Sequence, residues 1–173
     1  MVEDVTEVTI REAAPADAEA IATVHVASWR EGYRGVVPDE YLDGLDTAER
    51  ADEWRTVVAD LDRGQHVWVA EDEEEVLGFA VLGPSRDEDA DRTTLEIYAI
   101  YLEPHAWGRG VARELMRTVL AHVPDGSAVT LWALDANDRA RHFYRRNGFV
   151  PDGVEKVEEF GGQYLTELRY RRG

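Results

Sequence analysis

Two glycines, Gly108 and Gly110, stand between an apolar run and a helical pattern, with Arg109 between them and Arg113 just beyond. Glycines let a backbone approach an anion closely. The free N–H groups of a helix's first turn then point at it, and the helix dipole favours its charge. The segment suits a phosphate cradle, and it equally suits a plain tight strand-to-helix turn. It is not a Walker loop, because no Gly-Lys-Ser/Thr follows. It also lacks the third glycine of a dinucleotide fingerprint.

A second group lies downstream. Asn137 and Tyr144 are seven residues apart, two turns of a helix on nearly one face, with Ala140 between them. The stripe presents an amide, a gap and a phenol. Packing beside Phe143 would explain the same pattern without chemistry. The third piece is Glu96, inside an otherwise apolar run. Burying an ionised carboxylate without a partner is costly, so its pKa rises, which suits a general base near neutral pH. A water-reached strand end or a nearby arginine would leave it ordinary.

These residues need elements to hold them. Val5 to Arg11 alternates and reads as a first strand. Pro15 and Asp17 open a helix with Ala18, Ile21, Val24, His25 and Ser28 on its apolar face, broken by Gly32 and Gly35. After Pro38 comes one helical region, from Tyr41 to Leu61. His66 to Glu71 and Val76 to Leu82 form a hairpin around Asp72-Glu73-Glu74-Glu75. Ser85 to Arg92 is a solvated loop. Thr93 to Leu102 is the strongest strand. Strict alternation puts Leu95, Ile97, Ala99 and Tyr101 on one face and Glu96, Tyr98, Ile100 and Leu102 on the other. A strand apolar on both faces belongs in the middle of a covered sheet. A helix from Val111, a strand over Val129 to Ala133, a helix over Asp135 to Arg146 and two last strands joined through Gly161-Gly162 complete the order β α α β β β α β α β β. That order is α/β (α+β), a mixed central sheet flanked by helices, in one domain over 1–173.

Composition bounds the function. The chain has 173 residues, 36 acids and a formal charge of −17. Its basic residues are eighteen arginines and one lysine, Lys156. Acid excess with little lysine resembles proteins of salt-loving organisms, where screening over roughly 3 Å relieves self-repulsion. The charge argues against nucleic acid and anionic membranes as partners. The absence of cysteine excludes disulfides and cysteine nucleophiles. The five histidines show no paired ligand spacing and no Gly-x-Ser-x-Gly occurs, so no metal or hydrolase site is expected. The acidic start does not read as a signal peptide, and a cytoplasmic protein is the simplest expectation.

The three pieces in this order resemble the GCN5-related N-acetyltransferase (GNAT) superfamily. Leu95 to Pro104 is similar to its fourth strand, and His105-Ala106-Trp107-Gly108-Arg109-Gly110 to its pyrophosphate loop. Asn137 to Phe149 is similar to its Asn-x-x-Ala-x-x-Phe-Tyr…Gly-Phe signature. The run Val24 to Arg30, with Tyr33-Arg34-Gly35 and Pro38, is also common in one branch. His105 stands where the family has Gln or Arg, a position that binds through its backbone. The resemblance implies acetyl-CoA as co-substrate, bound by Ile100, Tyr101, Leu102, His105, Trp107, Gly108, Arg109, Gly110, Val111, Ala112, Asn137, Ala140 and Tyr144. It implies direct attack by an amine, with Glu96 as base and Tyr144 protonating the CoA thiolate. The acceptor would meet Trp29 and Tyr33, whose rings could stack on it, with Glu158 and Glu159 nearby to attract a cation. The alternative is an acyl-CoA-binding module without turnover. The acceptor's identity and a homodimer are left open.

Overall fold

The computed structural model describes residues 7–73 and 75–173. Val5 and Thr6, expected in the first strand, lie outside them. The strands are β1 (Thr9–Glu12), β2 (His66–Asp72), β3 (Glu75–Pro84), β4 (Leu95–Leu102), β5 (Val129–Leu134), β6 (Val150–Phe160) and β7 (Gln163–Arg172). The helices are α1 (Ala18–Gly32), α2 (Asp39–Asp43), α3 (Thr47–Ala59), α4 (Val111–Ala121) and α5 (Asp138–Arg146). The single helical region expected after Pro38 is two helices. Gly44 ends α2, and Asp46 starts α3 by accepting the N–H groups of Ala48 and Glu49.

Seven strands form one sheet in the order β1-β2-β3-β4-β5-β7-β6. Every neighbouring pair is antiparallel except β4 and β5, which run parallel. On one face α4 buries Val111, Leu115, Met116 and Val119 against Trp68, Leu82, Ile97 and Leu131. On the other, Ile21 and Val24 of α1 and Val58 of α3 pack on Val67, Phe79 and Val81. Each such side chain contributes roughly 1.5–3 kcal/mol through burial.

Strict alternation fails in β4. Ala99 pairs with Val81 and Ile97 pairs with Leu82, so Tyr98 is an extra residue opposite β3. This bulge moves Ile97, Ile100 and Leu102 to the α4 face together, and Tyr98, Ala99 and Tyr101 to the α1 face. Gly83 makes room for it: a Cβ there would lie 2.5 Å from the Tyr98 hydroxyl.

β4 and β5 pair only at Leu95↔Val129 and Glu96↔Thr130. Beyond those two pairs the strands part. Among the described residues, the edge of β4 from Ile97 to Leu102 that faces β5 therefore has no strand partner.

Candidate active site

The parted strands open onto a cavity of about 810 Å³ between the α4 and α5 sides of the molecule. Ile100, Tyr101 and Leu102 form its floor, the Trp107-to-Arg113 segment one wall, and Asn137, Arg139, Ala140 and Tyr144 of α5 the other. A smaller slot runs between the strands and is lined from both faces of the sheet. Tyr144 and Ala140 stand on one side, Tyr98 and Trp132 on the other, and Tyr33 at the edge.

The loop geometry is that of an anion cradle. Gly108 and Gly110 take φ of 76° and 81°, which other residues adopt only under strain. Gly110 is the N-cap of α4, and among the described residues no side chain caps the turn, so the first N–H groups stay open. Four arginines line the cavity: Arg109, Arg113, Arg139 and Arg146. Among the described residues none of the four has a carboxylate within 4.0 Å, and no acid lines the cavity. A chain of charge −17 thus keeps one concave surface free of negative charge.

Asn137 caps α5, its Oδ1 accepting the Ala140 N–H at 3.2 Å. The helix therefore begins at Asp138, not at Asp135 as the sequence suggests. Its Nδ2 donates to the Tyr33 hydroxyl at 3.5 Å. Tyr144 lies two turns along α5, 9% exposed. Burial pushes its phenol up from the ordinary value, with the neighbouring Tyr33 adding to the shift. Burial likewise raises Tyr33 and Tyr101. All three remain neutral phenols near neutral pH.

Glu96 is buried, 2% exposed, but not unpaired. Its carboxylate accepts the Arg86 backbone N–H at 3.0 Å and the Arg86 guanidinium at 2.6 Å. Arg86 also stacks on Tyr98 at 3.9 Å. The loop after β3 thus folds back over the start of β4, away from the main cavity. His105 turns its ring outward, with Nε2 3.0 Å from a Glu75 oxygen, and does not line the cavity. Trp29 packs edge-on against Tyr33 at 4.7 Å, beside Phe160 and Tyr41. Its Nε1 is buried without a partner among the described residues. Of Trp29 and Tyr33, only Tyr33 reaches the cavity.

The sequence matches the acetyltransferase (GNAT) family over residues 24–149. The chain belongs to that family. This acetyltransferase is 36% identical over 167 residues to a protein named uncharacterized N-acetyltransferase YuaI of Bacillus subtilis strain 168, covering 93% of this chain and 90% of that one. It is 32% identical over 171 residues to phosphinothricin N-acetyltransferase of Alcaligenes faecalis, covering 95% and 81%. Its fold is similar to that of YncA from Salmonella typhimurium, solved with its cofactor acetyl-CoA, at a TM-score of 0.70 and 22% identity over 95% of this chain and 92% of that one. Acetyl-CoA is the co-substrate of this GNAT enzyme, and the cavity fits it: a cradle for phosphate, arginines for charge and an open strand edge for an extended arm. Among the described residues no helix is long and apolar enough to cross a membrane.

Three site features escaped the sequence. Arg139 and Arg146 carry no marker separating them from the chain's other arginines. Arg86 is ten residues from Glu96 across a loop. The Tyr33–Asn137 bond joins residues 104 apart. The signal available for Arg139 was its place in the first turn after the capping Asn137.

Proposed function

We propose that this single acetyltransferase domain transfers the acetyl group of acetyl-CoA to a primary amine, on a small molecule or a protein, by direct attack with both bound. The observation that carries this is the gap between β4 and β5, which opens onto the cavity and is lined by residues from both faces of the sheet. In this reading the cradle from Trp107 to Ala112 holds the pyrophosphate, and Ile100, Tyr101 and Leu102 pair with the pantetheine arm as an added strand. A backbone N–H of β4, at Leu102 or beside it, polarises the thioester carbonyl.

The thioester supplies an electrophilic carbonyl carbon and a thiolate leaving group. The amine nitrogen bonds to that carbon, the carbon–sulfur bond breaks, one N–H proton leaves and the sulfur ends protonated. Tyr144 is the group that gives the sulfur its proton. Glu96 lines neither the cavity nor the slot and is held by Arg86, so it takes the amine's proton only through a chain of water molecules. Tyr33 and Trp29 border the acceptor's approach.

The test is CoA thiol release from acetyl-CoA with a panel of propylamine, spermidine, lysine, an alanyl peptide and phosphinothricin. Amine-dependent release supports the enzyme. Tight acetyl-CoA binding without release from any amine supports the binding-module alternative. Glu96→Gln should alter the pH dependence of kcat/KM, and an unchanged profile removes Glu96 as base. The acidic, lysine-poor composition supports a cytoplasm of high salt as the setting. A homodimer is compatible with this reading, which does not require one.

A further inference from the structure

Asn137 is fixed at both ends of its amide. Its Oδ1 accepts the Ala140 N–H at 3.2 Å. An amide NH2 cannot receive that bond, so the cap decides which way the group faces. Nδ2 must then point at Tyr33, and it meets the hydroxyl oxygen at 3.5 Å. A phenol has one proton and accepts through its oxygen. With the oxygen receiving a bond from Asn137, the Tyr33 proton is left to point elsewhere. Among the described residues the Tyr33 hydroxyl has no other side-chain partner.

Tyr33 lines both the cavity and the slot, so both are open to that proton. Its ring is held from behind by Trp29. Tyr144 faces the same space from the far end of α5. Two neutral phenols thus flank the place where β4 offers its unpaired edge. Acetyl transfer builds negative charge on two atoms in turn, the carbonyl oxygen and then the sulfur. We propose that Tyr33 is a catalytic residue whose hydroxyl donates a hydrogen bond to the thioester carbonyl oxygen as it gains charge, and that Asn137 is the positioning residue that aims it. Tyr33 keeps its own proton throughout. The amine still loses one proton and the sulfur still gains one from Tyr144, so the balance of the reaction is unchanged. A preformed donor acts on the developing charge without reorganising. This role rests on the acetyl-transfer reading and differs from ring stacking on the acceptor.

The test uses the full chain with acetyl-CoA and whichever amine of the panel it acetylates fastest. Where all amines are slow, the slow release of thiol to water replaces them. Tyr33→Phe should lower kcat about 100-fold, the loss typical of one oxyanion donor, with KM for acetyl-CoA and amine within about threefold. Asn137→Ser retains a capping oxygen and removes the N–H that holds Tyr33. It should lose kcat to a similar extent with an unchanged melting temperature. The double variant should be no slower than Tyr33→Phe, because both changes remove one hydrogen bond. Turnover of Tyr33→Phe within threefold of wild type overturns the proposal, as does a loss confined to the amine's KM or fully additive losses. Absence of thiol release from the wild-type chain under every condition overturns the acetyl-transfer reading itself.

Discussion

Arg139 holds its guanidinium over the Trp107 ring, 3.2 Å from the ring centre. The two residues come from opposite walls of the groove, Trp107 from the segment after β4 and Arg139 from the first turn of α5. Burial lowers the Arg139 pKa from its ordinary value, and no carboxylate pairs with it among the described residues. A cation kept partly dry on an aromatic face, without a counter-ion, is arranged for an anion that arrives later.

Arg139→Gln should therefore weaken acetyl-CoA binding about tenfold, or roughly 1.4 kcal/mol. It should also flatten the dependence of affinity on salt. Calorimetric titration at two KCl concentrations measures both. Equal affinity in the two proteins would assign Arg139 to packing alone.

Tyr144→Phe removes one hydroxyl from a buried ring and leaves the packing against Phe149 and Tyr170 in place. A positioned general acid contributes about 10²–10⁴ to rate. kcat should fall within that range while acetyl-CoA affinity stays within a few-fold. Steady-state thiol release and direct titration separate the two, and turnover equal to wild type would remove the role.

His25 provides a pH signature of folding. It sits among Trp29, Trp54, Phe79 and Tyr101, stacked on Tyr101 at 5.5 Å, with Trp54 Nε1 donating to its Nδ1 at 3.3 Å. Burial lowers its pKa to about 4, with nearby Arg50 acting the same way. An imidazole in the unfolded chain takes its proton near pH 6.5. Between those values the unfolded state binds more protons, so stability falls as pH drops from 6.5 toward 4 and is untouched by His25 above 6.5. The full loss is about 3 kcal/mol. Urea unfolding at pH 7 and pH 5 should show a smaller drop for His25→Gln than for wild type. Equal drops would mean the imidazole is protonated as readily in the folded protein as in the unfolded chain.

Salt should act in opposite directions on stability and on binding. Screening relieves the repulsion of 36 acids, so the melting temperature should rise between 0.1 and 2 M KCl. The same screening weakens attraction between CoA and the four cavity arginines, so KM for acetyl-CoA should rise. Thermal scans and initial rates on one protein batch give both. A melting temperature independent of KCl would remove the high-salt reading.

The element order, apart from the break at Gly44, and the residues that wall the cavity were legible because their signals are local. Gly108 and Gly110 mark a positive-φ turn, and Asn137, Ala140 and Tyr144 mark one helix face. The bulge at Tyr98 was not legible. A run apolar on both faces tolerates either alternation, and the room for the one adopted comes from Gly83 on the neighbouring strand. Nor does any residue announce that β4 and β5 part after two pairs, since divergence belongs to the twist of two strands together. Glu96 illustrates the same limit. Its burial was readable, but its partner comes from a loop whose path depends on tertiary packing.

The parting of β4 and β5 has a mechanical consequence. The sheet consists of two plates, β1 to β4 and β5 to β7, riveted at one corner by Leu95, Glu96, Val129 and Thr130. A pantetheine arm in the wedge would brace both plates. A ligand bound only by the folded state at a hundredfold excess over its Kd adds about 2.7 kcal/mol. The scaffold would then stiffen when coenzyme is abundant and slacken when it is scarce, so the enzyme's lifetime in the cell would follow the supply of the molecule it consumes.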